Sequence, residues 1–144
     1  MIFPSQSDYE LLVYTLPQTH PDILSSSLRF YTTSRGTAMV KGNVRFRNGL
    51  ELRVNETVDF VAGRISNYSY TVFRGEERIR WYDPQPHPEA PELASTYPHH
   101  YHEPPGIKRN RRPAPGLSFT APNLPDLIAE IAQLSPPPAT SGTK

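Results

Sequence analysis

The stretch from Met39 to Val61 constrains the fold more than any other. Val40, Val44 and Phe46 alternate with Lys41, Asn43, Arg45 and Arg47, and Leu50, Leu52, Val54, Val58 and Phe60 alternate with Glu51, Arg53, Asn55, Thr57 and Asp59. A period of two marks a half-buried strand, because successive side chains leave opposite faces. Asn48-Gly49 divides the two runs and predicts a type I′ hairpin turn, since both residues tolerate positive φ. Strand patterning recurs at Ser27–Thr32, Arg64–Phe73 and Arg78–Tyr82, with turns at Ser34-Arg35-Gly36, Ala62-Gly63 and Gly75-Glu76. Connections this short make neighbouring strands antiparallel.

One face of such a sheet needs a cover. Ser5, Ser7 or Asp8 is placed to cap a short helix whose apolar face is Leu12, Val13 and Leu16, and Pro17 is expected to end it. After Asn123, with Pro125 in the first turn, Leu127, Ile128, Ile131 and Leu134 fall at helical spacing. The expected fold class is α+β: an antiparallel β-meander sheet of about five strands, a short N-terminal helix, a C-terminal helix and a long Pro/His-rich loop. At 144 residues this is a single α+β domain over residues 1–135, and the Pro, Ser, Thr and Gly of 136–144 read as a disordered tail.

Glu56 breaks the pattern. It shares the register of Leu50, Leu52, Val54 and Val58, so it falls on the face that ought to be apolar. A carboxylate there must find partners or shift its pKa upward. A bulge that turns it outward, or a buried pair with an arginine, would be a structural explanation.

The second unusual stretch runs from Arg80 to His102. It holds four of the five histidines, His87, His99, His100 and His102, together with Trp81, Tyr82, Tyr97 and Tyr101. Prolines at 84, 86, 88, 91 and 98 forbid a regular helix and hold the backbone extended or turning. Imidazole is the side chain that titrates unaided near neutral pH, so it serves proton transfer and metal binding alike. His100 and His102 would share one face of an extended segment and His99 would point away. With His87 they would make a three-imidazole metal site, but there is no cysteine and no His-Glu-x-x-His pair, so no metal and no cofactor is assigned.

Metal-free cleavage of RNA needs a base for the 2′-hydroxyl, an acid for the leaving oxygen and a group to steady the phosphate. Glu56, Tyr70, Arg80, His87, His100 and His102 are the catalytic candidates, expected to converge in one cleft. Trp81, Tyr82 and Tyr101 would stack unpaired bases, and the basic run Lys108, Arg109, Arg111 and Arg112 would dock phosphates. A flexible, solvated charge run would look the same. A non-enzymatic RNA- or protein-binding module and a His-ligated metal hydrolase are the competing readings.

The order of these motifs carries a resemblance. Leu52-Arg53-Val54-Asn55-Glu56, Tyr68-Ser69-Tyr70, Arg80-Trp81-Tyr82-Asp83, Pro86-His87-Pro88-Glu89 and Thr96-Tyr97-Pro98-His99-His100-Tyr101-His102 precede a C-terminal helix. Together they resemble the TumE-like toxin family of prokaryotic type II toxin–antitoxin loci, over roughly residues 28 to 134. Trp81 between Arg80 and Tyr82, and Pro88 in place of a second histidine, depart from the family pattern. The resemblance implies a small cytoplasmic toxin that pairs with a cognate antitoxin protein; RNA as substrate is inferred from the side chains. No secretory leader and no apolar run of membrane-spanning length is evident, so no membrane role is expected.

Overall fold

The computed structural model describes residues 2–134, and the tail expected at 136–144 lies outside them. The chain opens with helix α1 (Gln6–Thr19), capped by the Ser5 hydroxyl accepting from the Asp8 amide at 3.2 Å. Eight strands follow: β1 (Ile23–Ser26), β2 (Arg29–Ser34), β3 (Thr37–Phe46), β4 (Leu50–Asp59), β5 (Arg64–Arg74), β6 (Glu77–Asp83), β7 (His100–His102) and β8 (Arg111–Pro113). Helix α2 (Leu124–Ala132) closes the fold. All pairings are antiparallel, in the order β1-β3-β4-β5-β6-β7-β8, with β2 also on β3.

The expected α+β architecture is present, with more strands than the alternation predicts. β1 and β2 form one broken edge lying along opposite halves of β3. The break crosses Gly42, whose φ is +139°, and a Cβ built there would lie 2.5 Å from the Ser27 carbonyl oxygen. No larger residue fits that approach. β7 and β8 are three residues each, too short to announce a period. They convert the end of the histidine stretch and part of the basic run from loop into sheet.

Two local expectations need correction. Pro17 does not end α1, which continues to Thr19. It sits in the last turn, where its missing N–H removes a single helical bond, and the turn is closed by the His20 amide on Leu16 O at 2.9 Å and by Thr19 Oγ1 on Leu16 O at 3.2 Å. The Asn48-Gly49 turn is not type I′, because only Gly49 has positive φ, at 90°. Asn48 works through its side chain instead: Oδ1 accepts from the Leu50 amide at 3.0 Å and Nδ2 donates to Ile131 O at 3.1 Å. The hairpin thereby caps the C-terminus of α2.

One core lies between the sheet and both helices. Tyr9, Val13 and Leu16 of α1 and Leu124, Leu127, Ile128 and Ile131 of α2 join Val40, Leu52, Val54, Val58, Tyr70 and Val72 of the sheet. Each buried aliphatic contributes roughly 1.5–3 kcal/mol of hydrophobic stabilisation. The other sheet face carries Lys41, Asn43, Arg53, Asn55, Thr57, Asn67, Ser69 and Thr71, half-buried or exposed. Among the described residues no helix lies over it, and its polar residues continue toward β6 and β7.

Candidate active site

The register of β6 and β7 builds the site. Trp81 pairs with His102, Tyr82 with Tyr101, and Asp83 with His100. Directly opposed residues share a face, so Trp81, Asp83, His100 and His102 project from the open side and Tyr82 and Tyr101 toward the helices. Asp83 Oδ1 lies 3.2 Å from His100 Nε2, and Oδ2 lies 3.4 Å from His102 Nε2. The two Nε2 atoms are 3.1 Å apart. His100 Nδ1 meets Pro98 O at 3.0 Å and His102 Nδ1 meets Ile107 O at 2.8 Å. A carbonyl oxygen only accepts, so each Nδ1 carries a proton and each Nε2 is directed at Asp83 and at its partner.

The surroundings hold these groups in place. The Trp81 ring stacks on His102 with centroids 4.4 Å apart, and Arg78 lies over Trp81 at 5.0 Å. His87 stands edge-on to His100 at 5.0 Å, its side chain only partly exposed, with Glu89 3.5 Å from its Nδ1. Gln85 donates its amide to Asp83 at 2.9 Å. Burial raises the Asp83 pKa, but the contact with His102, the Gln85 amide and the neighbouring imidazoles outweigh it and hold the carboxyl below its usual range. Burial pushes His100 below the ordinary histidine value, opposed by Pro98 O and Asp83, so its neutral form is favoured. A trough of about 440 Å³ opens beside the cluster, lined by Asn67, Ser69, Trp81, Asp83, Gln85 and Phe119 among others.

The expected single cleft divides in two. His87, His100 and His102 come together; Glu56, Tyr70 and Arg80 lie on the helix side. Glu56 is fully buried, yet neither bulged outward nor paired with an arginine: it accepts from Tyr9 at 2.7 Å and from Tyr70 at 2.5 Å. Asn123 Nδ2 donates to Tyr70 Oη at 3.2 Å and completes the network. Burial pushes Glu56 above the usual carboxylate range despite those two donors, and burial with the Glu56 charge pushes Tyr70 well up. Arg80 donates to Tyr82 and Glu130, both at 3.1 Å, and lies 4.4 Å over the Tyr101 ring, in a cavity of about 290 Å³ against α2. His99 turns away from the cluster, 2.5 Å from Tyr68 Oη, between Tyr68 and Phe119.

The RNA-binding candidates divide likewise. Trp81 is on the open face, whereas Tyr82 is buried and Tyr101 lies beneath Arg80, so neither offers a free ring to a base. Lys108 and Arg109 are exposed on the bend before β8, and Arg112 pairs with Glu103 at 2.9 Å. Arg111 stands opposite His102 in β8. Among the described residues, its Nε is the buried side-chain nitrogen without a hydrogen-bond partner. Asp83 is the member of the cluster that the sequence pattern did not single out. Its signal was its parity: two residues after Trp81, it shares that face, with His100 and His102 two residues apart on a further extended segment.

A family model described as Toxin TumE matches residues 12–135. No curated protein and no solved structure matches the chain.

Proposed function

The chain therefore belongs to the TumE toxin family, and from that premise we propose that this toxin is an endoribonuclease working by metal-independent acid–base chemistry on the open sheet face. The observation that carries the reading is the Asp83–His100–His102 cluster, with both Nδ1 atoms tied to backbone carbonyls and both Nε2 atoms against Asp83, which lines the trough. Imidazoles held this way are oriented as proton-transfer groups, and the carboxylate stabilises the imidazolium that forms on accepting a proton. The buried pair takes the proton of an RNA 2′-hydroxyl. The 2′-oxygen then bonds to phosphorus as the P–O5′ bond breaks. His87 returns a proton to the departing 5′-oxygen. The products are a 2′,3′-cyclic phosphate and a 5′-hydroxyl, and no water or metal enters the balance.

Arg111 Nε steadies the phosphorane charge in place of Arg80, and Trp81 offers the stacking surface for an unpaired base. Lys108 and Arg109 attract the phosphate backbone. The family premise supports a cognate antitoxin as protein partner and a cytoplasmic site of action; no helix among the described residues is long and apolar enough to cross a membrane. The test is RNA cleavage by purified protein in excess chelator, with the product ends identified. Cyclic-phosphate products from the wild type and none from His100→Ala support the reading. Intact RNA, or equal cleavage by His100→Ala, refutes it.

A further inference from the structure

We propose that Asp83, His100 and His102 also form a binding site for a divalent transition metal of the zinc class, and that its occupation silences the toxin. The ligand atoms already stand at coordination spacing. The two Nε2 atoms are 3.1 Å apart, and each has one Asp83 oxygen near it, Oδ1 at 3.2 Å from His100 and Oδ2 at 3.4 Å from His102. Ligands of a tetrahedral ion with bonds of ~2.0–2.1 Å sit about 3.3 Å apart. Little movement is needed to bring three donors onto one ion.

The outer contacts point the same way. A metal-ligating imidazole donates its other ring N–H to a carbonyl or carboxylate, which fixes the tautomer and aims the lone pair. His100 does so to Pro98 O and His102 to Ile107 O. Two Nε2 lone pairs and a carboxylate then face one another within 3.4 Å, an arrangement that a cation at their centre relieves. Two imidazoles with one carboxylate suit zinc, cobalt or iron(II), whereas magnesium and calcium prefer all-oxygen shells. Asp83 also lines the trough, which leaves a side open for water or another ligand.

The metal would occupy the lone pairs that the proposed cleavage needs for its proton. Silencing therefore rests on the ribonuclease reading, whereas metal binding does not.

Two measurements on the full chain, stripped with chelator and dialysed, separate them. In the first, zinc is titrated against melting temperature, and cobalt(II) against the fluorescence of Trp81, the chain's single tryptophan, which stacks on His102. The expected result is one equivalent bound, with stabilisation and quenching. Loss of His100 or His102 to alanine should weaken binding beyond the roughly 10–100-fold that even outer-shell losses cause. Asp83→Asn, of the same size, carries the test if an alanine variant fails to fold, and His20→Ala should bind like the wild type. No binding at millimolar zinc, or equal binding by wild type and Asp83→Asn, overturns the site.

In the second, cleavage is followed with and without one equivalent of zinc. Loss restored by chelator supports silencing. Cleavage that persists at saturating zinc, or that requires zinc, overturns silencing. A zinc requirement would also retire the metal-free mechanism while leaving the site in place.

Discussion

The two faces of the sheet each hold carboxylate chemistry where a strand pattern alone would not place it, and they use it differently. On the helix side, Glu56 is sealed under α1 and α2, with both oxygens occupied by Tyr9 and Tyr70. On the open side, Asp83 faces two imidazoles and lines a trough of about 440 Å³. Perturbed acid groups are functional-site candidates only when substrate can reach them. A carboxylate whose acceptors are spent on core donors fixes packing, and one beside unspent imidazole lone pairs is placed for proton transfer.

The largest effect should come from breaking the open-face cluster. His100→Ala or His102→Ala should reduce RNA cleavage by about 10²–10⁴-fold, the range for a lost acid–base group. Circular dichroism should show the sheet retained. Cleavage within threefold of the wild type would mean the cluster is not the catalytic centre. The opposite signature belongs to the helix side. Glu56→Ala leaves two buried phenols and Asn123 rearranging around a cavity, and should cost roughly 3 kcal/mol of stability. Denaturant titration measures this, and the specific activity of the folded fraction should hold. Activity lost without destabilisation would return Glu56 to the catalytic set.

The arginines sharpen the contrast. Arg111→Ala should lower kcat for RNA and raise its KM, each several-fold, since it removes the unpartnered nitrogen of the residue opposite His102. Arg80→Ala should leave KM unchanged and cost up to about 1 kcal/mol of stability, the usual worth of a partly exposed ion pair, here with Glu130 at 3.1 Å. Reversed results would put substrate in the α2-side cavity.

What could be read from the sequence follows the range of each signal. Alternation over ten residues in β3 and β4 located those strands and placed Glu56 inward, because period two repeats often enough there to fix the register. It could not identify Glu56's partners: Tyr9 is 47 residues away, on a helix whose docking no local pattern encodes. β7 and β8 were hidden by their length, and with them the pairing that brings His100 and His102 against Asp83. The histidine cluster was visible as composition; its division, with His99 turned to Tyr68 and His100 to Asp83, depends on that short strand.

The smallest predicted effect probes the sealed carboxylate by its proton. Burial raises the Glu56 pKa above its ordinary value of 4.5, so the folded state binds this proton more tightly than the unfolded state does. The stability it contributes is fully present below the unfolded-state value and is lost as pH rises toward the raised folded-state value. Glu56→Gln keeps the size and one acceptor oxygen but has nothing to titrate. Its own stability should therefore lack this pH dependence, while other titrating groups, Asp83 and His100 among them, contribute equally to both proteins and cancel in the difference. Wild type minus Glu56→Gln, measured by urea unfolding from pH 4 upward, should fall as pH rises. A difference that grows with pH would mean that Tyr9 and Tyr70 hold Glu56 as a favoured anion, its pKa depressed. The helix-side network would then be a stabilised charge, closer in kind to Asp83 than the contrast between the two faces allows.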